Sequence, residues 1–331
     1  MLTAESVQTV ISRHFDLSRE EAGCFRVSGP LKTSRSCRVF KGQSDLFPGN
    51  IAIKAFFPEK TDEQNLERHF LAQKAYHLKL RGGKLRVPQP IRIINEHRII
   101  VMEWIESPRI REILWRSGFR ETLRNDGIRA AGKWLRAFHD AGGISSQAID
   151  IHRILSRTEI MMKRVKDCGY PIETDTVFMR CHRLLRDAVP FLKNVKLPHA
   201  VVHGDFTPSN IFHGAKDTVG FDFMATERAP VTHDICRFLL YLQVYRYFLL
   251  TFAPSRALRR FNEDSTVFLS SYGMLEWLPR SRELMYLQMA ELLRRWASVQ
   301  SQLKSCVRQP FQLIELTRFR NLAKQFIKRI G

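Results

Sequence analysis

The stretch Val201-Val202-His203-Gly204-Asp205-Phe206-Thr207-Pro208-Ser209-Asn210-Ile211-Phe212, with Gly220-Phe221-Asp222-Phe223 after it, decides the reading of this chain. An aspartate, an asparagine five residues on and a second aspartate twelve beyond that sit on or beside strand-like segments. Phosphoryl transfer calls for such a set. One carboxylate positions an attacking hydroxyl and accepts its proton, while an amide oxygen and a second carboxylate hold Mg²⁺ on the phosphates.

Working outward, the N-terminal third supplies a matching cation. Lys54 lies in the run Asn50 to Phe57, almost wholly apolar apart from it, where a buried ammonium is costly without an anionic partner. Further β-prone runs are Cys24 to Ser28, Ser36 to Lys41, Ile91 to Ile94 and Arg98 to Trp104. Thr61-Asp62-Glu63-Gln64 has the form of a capping box and predicts a helix to about Leu80, closed by Gly82-Gly83. After Pro108 the pattern turns helical: Asn125 to Ala141, 151–167, 175–193, and from Asp234 to the end, interrupted by the strand-and-loop island Ala200 to Met224. The sequence thus predicts an α+β chain of two lobes. A small antiparallel-sheet N-lobe with one main helix spans 1–102 and a hinge spans 103–108. A larger, mostly helical C-lobe spans 109–331, with a catalytic loop at 201–224 and acceptor-binding helices at 234–331.

His203-Gly204-Asp205-x4-Asn210 resembles the catalytic loop of the aminoglycoside phosphotransferase and choline kinase-like enzymes, small-molecule relatives of the protein kinases. Gly220-Phe221-Asp222-Phe223 is similar to their metal-binding strand, Ala52-Ile53-Lys54 to their lysine strand, and Val101 to Glu106 to their hinge. Asn125 to Ala141 resembles the helix before the catalytic segment. The resemblance covers about residues 20–240 and implies a bilobal protein-kinase-like fold using ATP and Mg²⁺. It assigns Asp205 as catalytic base, Asn210 and Asp222 as Mg²⁺ ligands, and Lys54 as the contact to the α- and β-phosphates. Glu103 and Ile105 would meet adenine, Gly29 and Ser34 would belong to a phosphate-covering turn over 29–36, and Asp234 and His203 would support the loop. The family pairs its strand lysine with a helix glutamate. Glu63 and Glu67 both qualify, and Glu67 is preferred because Phe70 and Leu71 place it on the apolar stripe. The turn has one glycine where a glycine-rich loop has three, a second acidic residue is missing two positions after Asp222, and the part after about 240 matches nothing.

Charge bears on the acceptor. The chain has 331 residues, 44% hydrophobic and 26% charged, which excludes a mostly disordered polymer. Its 53 Lys and Arg against 33 Asp and Glu give +20, so an anionic partner is expected. Residues 241–331 alone carry 15 basic and 6 acidic side chains. A polycationic acceptor such as an aminoglycoside fits that surplus poorly. A small molecule, a glycan or a glycolipid, anionic or at an anionic membrane surface, fits it better, and nucleic acid comes last for want of any recognition motif. The alternatives kept open are a lipopolysaccharide-core sugar kinase at the inner membrane surface and a pseudokinase scaffold without turnover. The segment 316–330 sets Phe319, Leu322, Phe326 and Ile327 against five basic residues, and reads equally as an interfacial helix or as a terminal helix docked on the lobe. The apolar run Ile235 to Ala253 is interrupted by Arg237, Gln243 and Arg246, which favours a buried helix over a membrane span. Six scattered cysteines, Cys306 among them, suggest neither disulfides nor zinc, and the N-terminus lacks a secretory pattern. The expected location is cytoplasmic, with peripheral attachment at the inner membrane face as the alternative.

Overall fold

The computed structural model describes residues 3–330 apart from 35, 44, 46, 48, 119, 224–226, 247–253, 275–280 and 304–308. Cys306 and the end of the apolar run, 247–253, lie outside the described residues. The chain divides into two compact units, Met1–Pro108 with Ile211–Thr226, and Arg109–Asn210 with Glu227–Gly331.

The first unit opens on two helices, α1 (Ala4–His14) and α2 (Arg19–Cys24). The sequence predicts only strands and turns here. Both helices begin with reciprocal caps, Thr3 with Ser6 and Ser18 with Glu21, which satisfy N–H groups that a short helix otherwise leaves bare. The strands β1 (Arg26–Thr33), β2 (Cys37–Gln43) and β3 (Ile51–Phe56) follow, then α3 (Glu63–Lys79), β4 (Leu85–Arg86), β5 (Pro90–Ile94) and β6 (Ile99–Glu103). The cap of α3 is Asp62, whose carboxylate accepts from the Asn65 N–H at 2.7 Å, not Thr61. The five-stranded antiparallel sheet runs β1-β2-β3-β6-β5. Lys54 is therefore on the central strand, opposite Val39 and Ile100. Alternation along β3 puts Ile51, Ile53 and Ala55 into a core with Val7 and Ile11 of α1. Ala52 and Phe56 pack with Leu66 of α3 on the other face, and Lys54 shares that face.

The second unit continues with α4 (Ile110–Ser117), α5 (Glu121–Ala141), β7 (Ser145–Ala148), α6 (Ile151–Asp167), α7 (Thr176–Asp187), α8 (Val189–Leu192) and β8 (Lys196–Val201). The single helix expected over 175–193 is two, α7 and α8, with Pro190 inside the first turn of α8, where its missing N–H costs nothing. The chain then returns to the first unit for the hairpin β9 (Ile211–His213) and β10 (Thr218–Gly220), and β10 lies parallel beside β4. The hairpin Ile211–Gly220, which the sequence groups with the helical lobe, is thus held by backbone pairing in the first unit.

The second unit closes with β11 (Arg228–Pro230), α9 (Thr232–Tyr241), a π-helical turn (Leu242–Arg246), α10 (Pro254–Tyr272), α11 (Arg282–Gln300) and α12 (Gln309–Ile330). Its small sheet runs β11-β8-β7, so β8 is central and feeds directly into His203. α5 and α10 approach closely at Gly132, where a Cβ would meet the Phe268 carbonyl oxygen at 2.7 Å. Phe319, Leu322, Ala323 and Phe326 of α12 are buried, and the helix packs on α7 and α11. The apolar face of 316–330 is occupied inside the unit, which makes this a docked helix. Among the described residues no helix is long and apolar enough to cross a membrane.

Candidate active site

The residues singled out by sequence fall into two groups, one in each unit. In the second unit, the loop after β8 is built around Asp234, wholly buried in α9. Its carboxylate accepts from the His203 N–H at 2.7 Å, from the Gly204 N–H at 2.9 Å and from His139 Nε2 at 3.0 Å. Burial pushes this carboxyl up, but His139 and His233 outweigh it and hold the group well below the usual carboxylate range. Gly204 has φ +87°, a conformation that lets the chain turn immediately before Asp205. His203 is buried among Trp134, Phe138 and Phe206 and lies 3.4 Å from the Asp205 N–H through Nδ1. Asn210 closes the loop: its Nδ2 donates to the Asp205 carbonyl at 2.9 Å.

Asp205 itself is 54% exposed, so its carboxylate is reachable. Arg237 of α9 grips one of its oxygens, through Nε at 3.1 Å and through Nη2. Arg237 also donates from Nη1 to Glu291 at 3.0 Å, and Glu291 takes Arg294 in two bonds of 2.8 Å. Burial works against the Arg237 charge, and Glu291 and Asp205 outweigh it. The sequence marks Arg237 only as an interruption of an apolar run and gives neither it nor Glu291 a place in the site. The available signal was the arginine inside an apolar helix, which demands a buried carboxylate somewhere in the fold.

In the first unit, Lys54 Nζ donates to Asp222 Oδ1 at 2.5 Å. The ammonium is the main reason the Asp222 carboxyl sits well below its ordinary range; burial opposes it, and His69 and Lys32 assist. Burial likewise opposes the Lys54 charge, but Asp222 more than compensates and the ammonium is held above its usual range. Asp222 has φ +67°, an uncommon conformation for a residue with a side chain and one that recurs at functional positions.

Glu67 is not brought to Lys54. The inward stripe of α3 is Leu66, His69, Gln73 and Tyr76, one residue out of phase with the expected one, so Glu67 and Glu63 face solvent. His69 holds the inward position, edge-on to Phe56. Gly29 and Ser34 do not share a turn either. β1 continues through Gly29 with a bulge between Ser28 and Lys32 and ends at Thr33, so Gly29 lies within the strand and Ser34 just beyond it. The Ser34 hydroxyl accepts from the Cys37 N–H at 3.0 Å and donates to the Cys37 carbonyl at 3.0 Å, so it is committed to the first residue of β2. The Glu103 carboxylate is taken by Arg86 in two bonds of 2.6 and 2.8 Å, and Arg86 reaches Asp217 at 2.7 Å, tying β4 and β6 to the β9–β10 hairpin. Ile105 is half-buried just beyond β6.

The donor chemistry fits Mg²⁺. Asp222 offers a carboxylate kept ionised, and Asn210, its nitrogen committed to Asp205, offers an amide oxygen; both are hard oxygen ligands.

An antiparallel sheet with a half-buried, ion-paired lysine on its central strand, joined in sequence to a helical unit carrying the His-Gly-Asp loop, defines an α+β phosphotransferase of protein-kinase-like fold. The phosphotransferase enzyme family model matches residues 57–264, more than half of the chain, and the chain belongs to that family. Similar solved structures include a choline/ethanolamine kinase family protein from Mesorhizobium loti, at 12% identity over 98% of this chain and 99% of that one, TM-score 0.60. Choline kinase from Cryptosporidium parvum Iowa II is 9% identical over 98% and 96%, TM-score 0.64. Amicoumacin kinase hAmiN, in complex with AMP-PNP, Ca²⁺ and Ami, is 13% identical over 96% and 93%, TM-score 0.61. No curated protein matches the chain.

Proposed function

We propose that the chain transfers the γ-phosphoryl group of ATP to a hydroxyl of a small molecule or glycan sugar that carries negative charge. The observation that carries this reading is the Lys54–Asp222 pair: a lysine on the central strand, kept charged against a carboxylate kept ionised. Lys54 would contact the α- and β-phosphates, and Glu103 and Ile105 would present backbone groups to adenine. Asn210 and Asp222 would hold Mg²⁺, which when bound neutralises charge on the phosphates. Asp205, with one oxygen fixed by Arg237, keeps carboxylate capacity to orient the acceptor hydroxyl and take its proton. The basic surplus of residues 241–331 supports an anionic acceptor over a polycation.

The test is transfer from γ-labelled ATP to a panel of sugars, sugar phosphates, amino alcohols and cell-envelope extracts. The wild type should label at least one acceptor, and Asp205→Ala should lower that rate at least ~100-fold. Equal labelling by the two proteins would refute the assignment.

A further inference from the structure

The second unit contains a cavity of about 380 Å³, of a size to enclose a sugar-sized ligand. Its wall carries Arg153, Arg157, Arg228 and Arg294 against Glu227, Glu291 and the helix-capping Asp150. The partners of these groups differ. Arg294 takes Glu291 in two bonds, and the second arginine on Glu291, Arg237, has the Asp205 carboxylate as well. Asp150 is spent on the Arg153 N–H at 2.9 Å. Arg228 lies on the carbonyls of Gly142 and Gly143 at 3.0 and 2.9 Å, so dipoles and not a charge meet it there. Arg153 and Arg157 both donate to the same oxygen of Glu227, Arg153 at 2.8 Å. Two guanidiniums share one carboxylate oxygen, which leaves donors and positive charge in excess on one side of the cavity.

We propose that this cavity receives the anionic group of the acceptor, a phosphate monoester or a carboxylate, on Arg153 and Arg157. The proposal rests on the phosphotransferase reading above and names the substrate class. Guanidiniums pair with such oxyanions in two parallel hydrogen bonds, and one turn of α6 separates these two so that they act from one face. The same arginines repel a polycationic acceptor. The wall is also connected to the chemistry: Glu291 holds Arg237, and Arg237 holds Asp205. An acceptor anchored here is bound on the framework that fixes the catalytic carboxylate.

Calorimetric titration tests this with saturating Mg-AMP-PNP, which fills the nucleotide site and keeps added anions out of it. The probes are glucose 6-phosphate, glucose, and phosphatidylcholine vesicles carrying phosphatidylinositol phosphate. The phosphorylated probe should bind at least ~10-fold more tightly than glucose, the value of about one charge-assisted hydrogen bond. Arg153→Met/Arg157→Met should remove that preference, and Glu227→Gln, which frees both guanidiniums, should strengthen it. Binding of the soluble or the vesicle-borne phosphate with this pattern supports the site and identifies the source of the anion. Failure of both to bind, equal binding of glucose and its phosphate, or weakening by Glu227→Gln as well as by the arginine changes would overturn it. The titration needs no turnover, so its outcome stands apart from labelling by wild type and Asp205→Ala, which judges the phosphotransferase reading.

Discussion

Replacing Asp234 by asparagine changes one oxygen to an amide nitrogen and leaves the volume unchanged. No cavity forms, so the effect reads the hydrogen bonds alone. One carboxylate oxygen serves the His203 N–H and His139, and the other serves the Gly204 N–H. Whichever way the asparagine turns, its NH₂ faces a backbone donor in a fully buried site. Each hydrogen bond to a charged acceptor contributes ~1.5–3 kcal/mol, and a buried unsatisfied donor costs a further ~1–3 kcal/mol. The expected loss is about 3–5 kcal/mol, a large share of the ~5–15 kcal/mol that stabilises an ordinary domain. Guanidinium unfolding followed by tryptophan fluorescence measures the total. Hydrogen exchange of a peptide covering 201–210 measures the loop, whose His203 and Gly204 amides should lose protection before the rest of the second unit. A loss under ~1 kcal/mol with unchanged exchange would refute the claim that Asp234 carries the loop.

Glu291 sets an acid limit on stability. Burial pushes its carboxyl up, but Arg294 and Arg237 prevail and place it at about 2 against 4.5 for the free group. A depressed folded value means its contribution is complete above pH 4.5 and disappears as pH falls toward 2, on the order of 3 kcal/mol in all. The stability difference between wild type and Glu291→Gln should therefore shrink across that window in denaturant titrations; a constant difference would count against it. Gly132→Ala places a methyl against the Phe268 carbonyl and Ser271, forcing α5 and α10 apart. Thermal unfolding should show a loss of roughly 1–3 kcal/mol, whereas a neutral change would mean the two helices separate freely.

Much of this was legible before the fold. The strand Ile51–Phe56 announces itself by an apolar run with one lysine, and the hairpin and loop by fixed spacing of Asp205, Asn210 and Asp222. What stayed hidden depends on long-range pairing or on phase. Glu67 is misplaced because α3 has apolar residues on two adjacent stripes, and the sheet selects the one containing Leu66 and His69. Ser34 and Gly29 separate because β1 pairs with β2 as far as Thr33, past a Gly-Pro pair that suggests a turn. Arg237 and Glu291 are 54 residues apart, and no local pattern connects them. The helix at 316–330 has the same amphipathic pattern whether it meets a membrane or α7 and α11. Only packing decides.

Binding of Mg-ATP to three proteins tests the division of labour most directly. Calorimetry should find wild type and Asp205→Ala binding the nucleotide alike, and Lys54→Met binding it at least ~10-fold more weakly, since one charge-assisted contact to phosphate is lost. Equal affinity in all three, or a loss in Asp205→Ala as large as in Lys54→Met, would contradict the assignment of nucleotide to Lys54 and acceptor to Asp205.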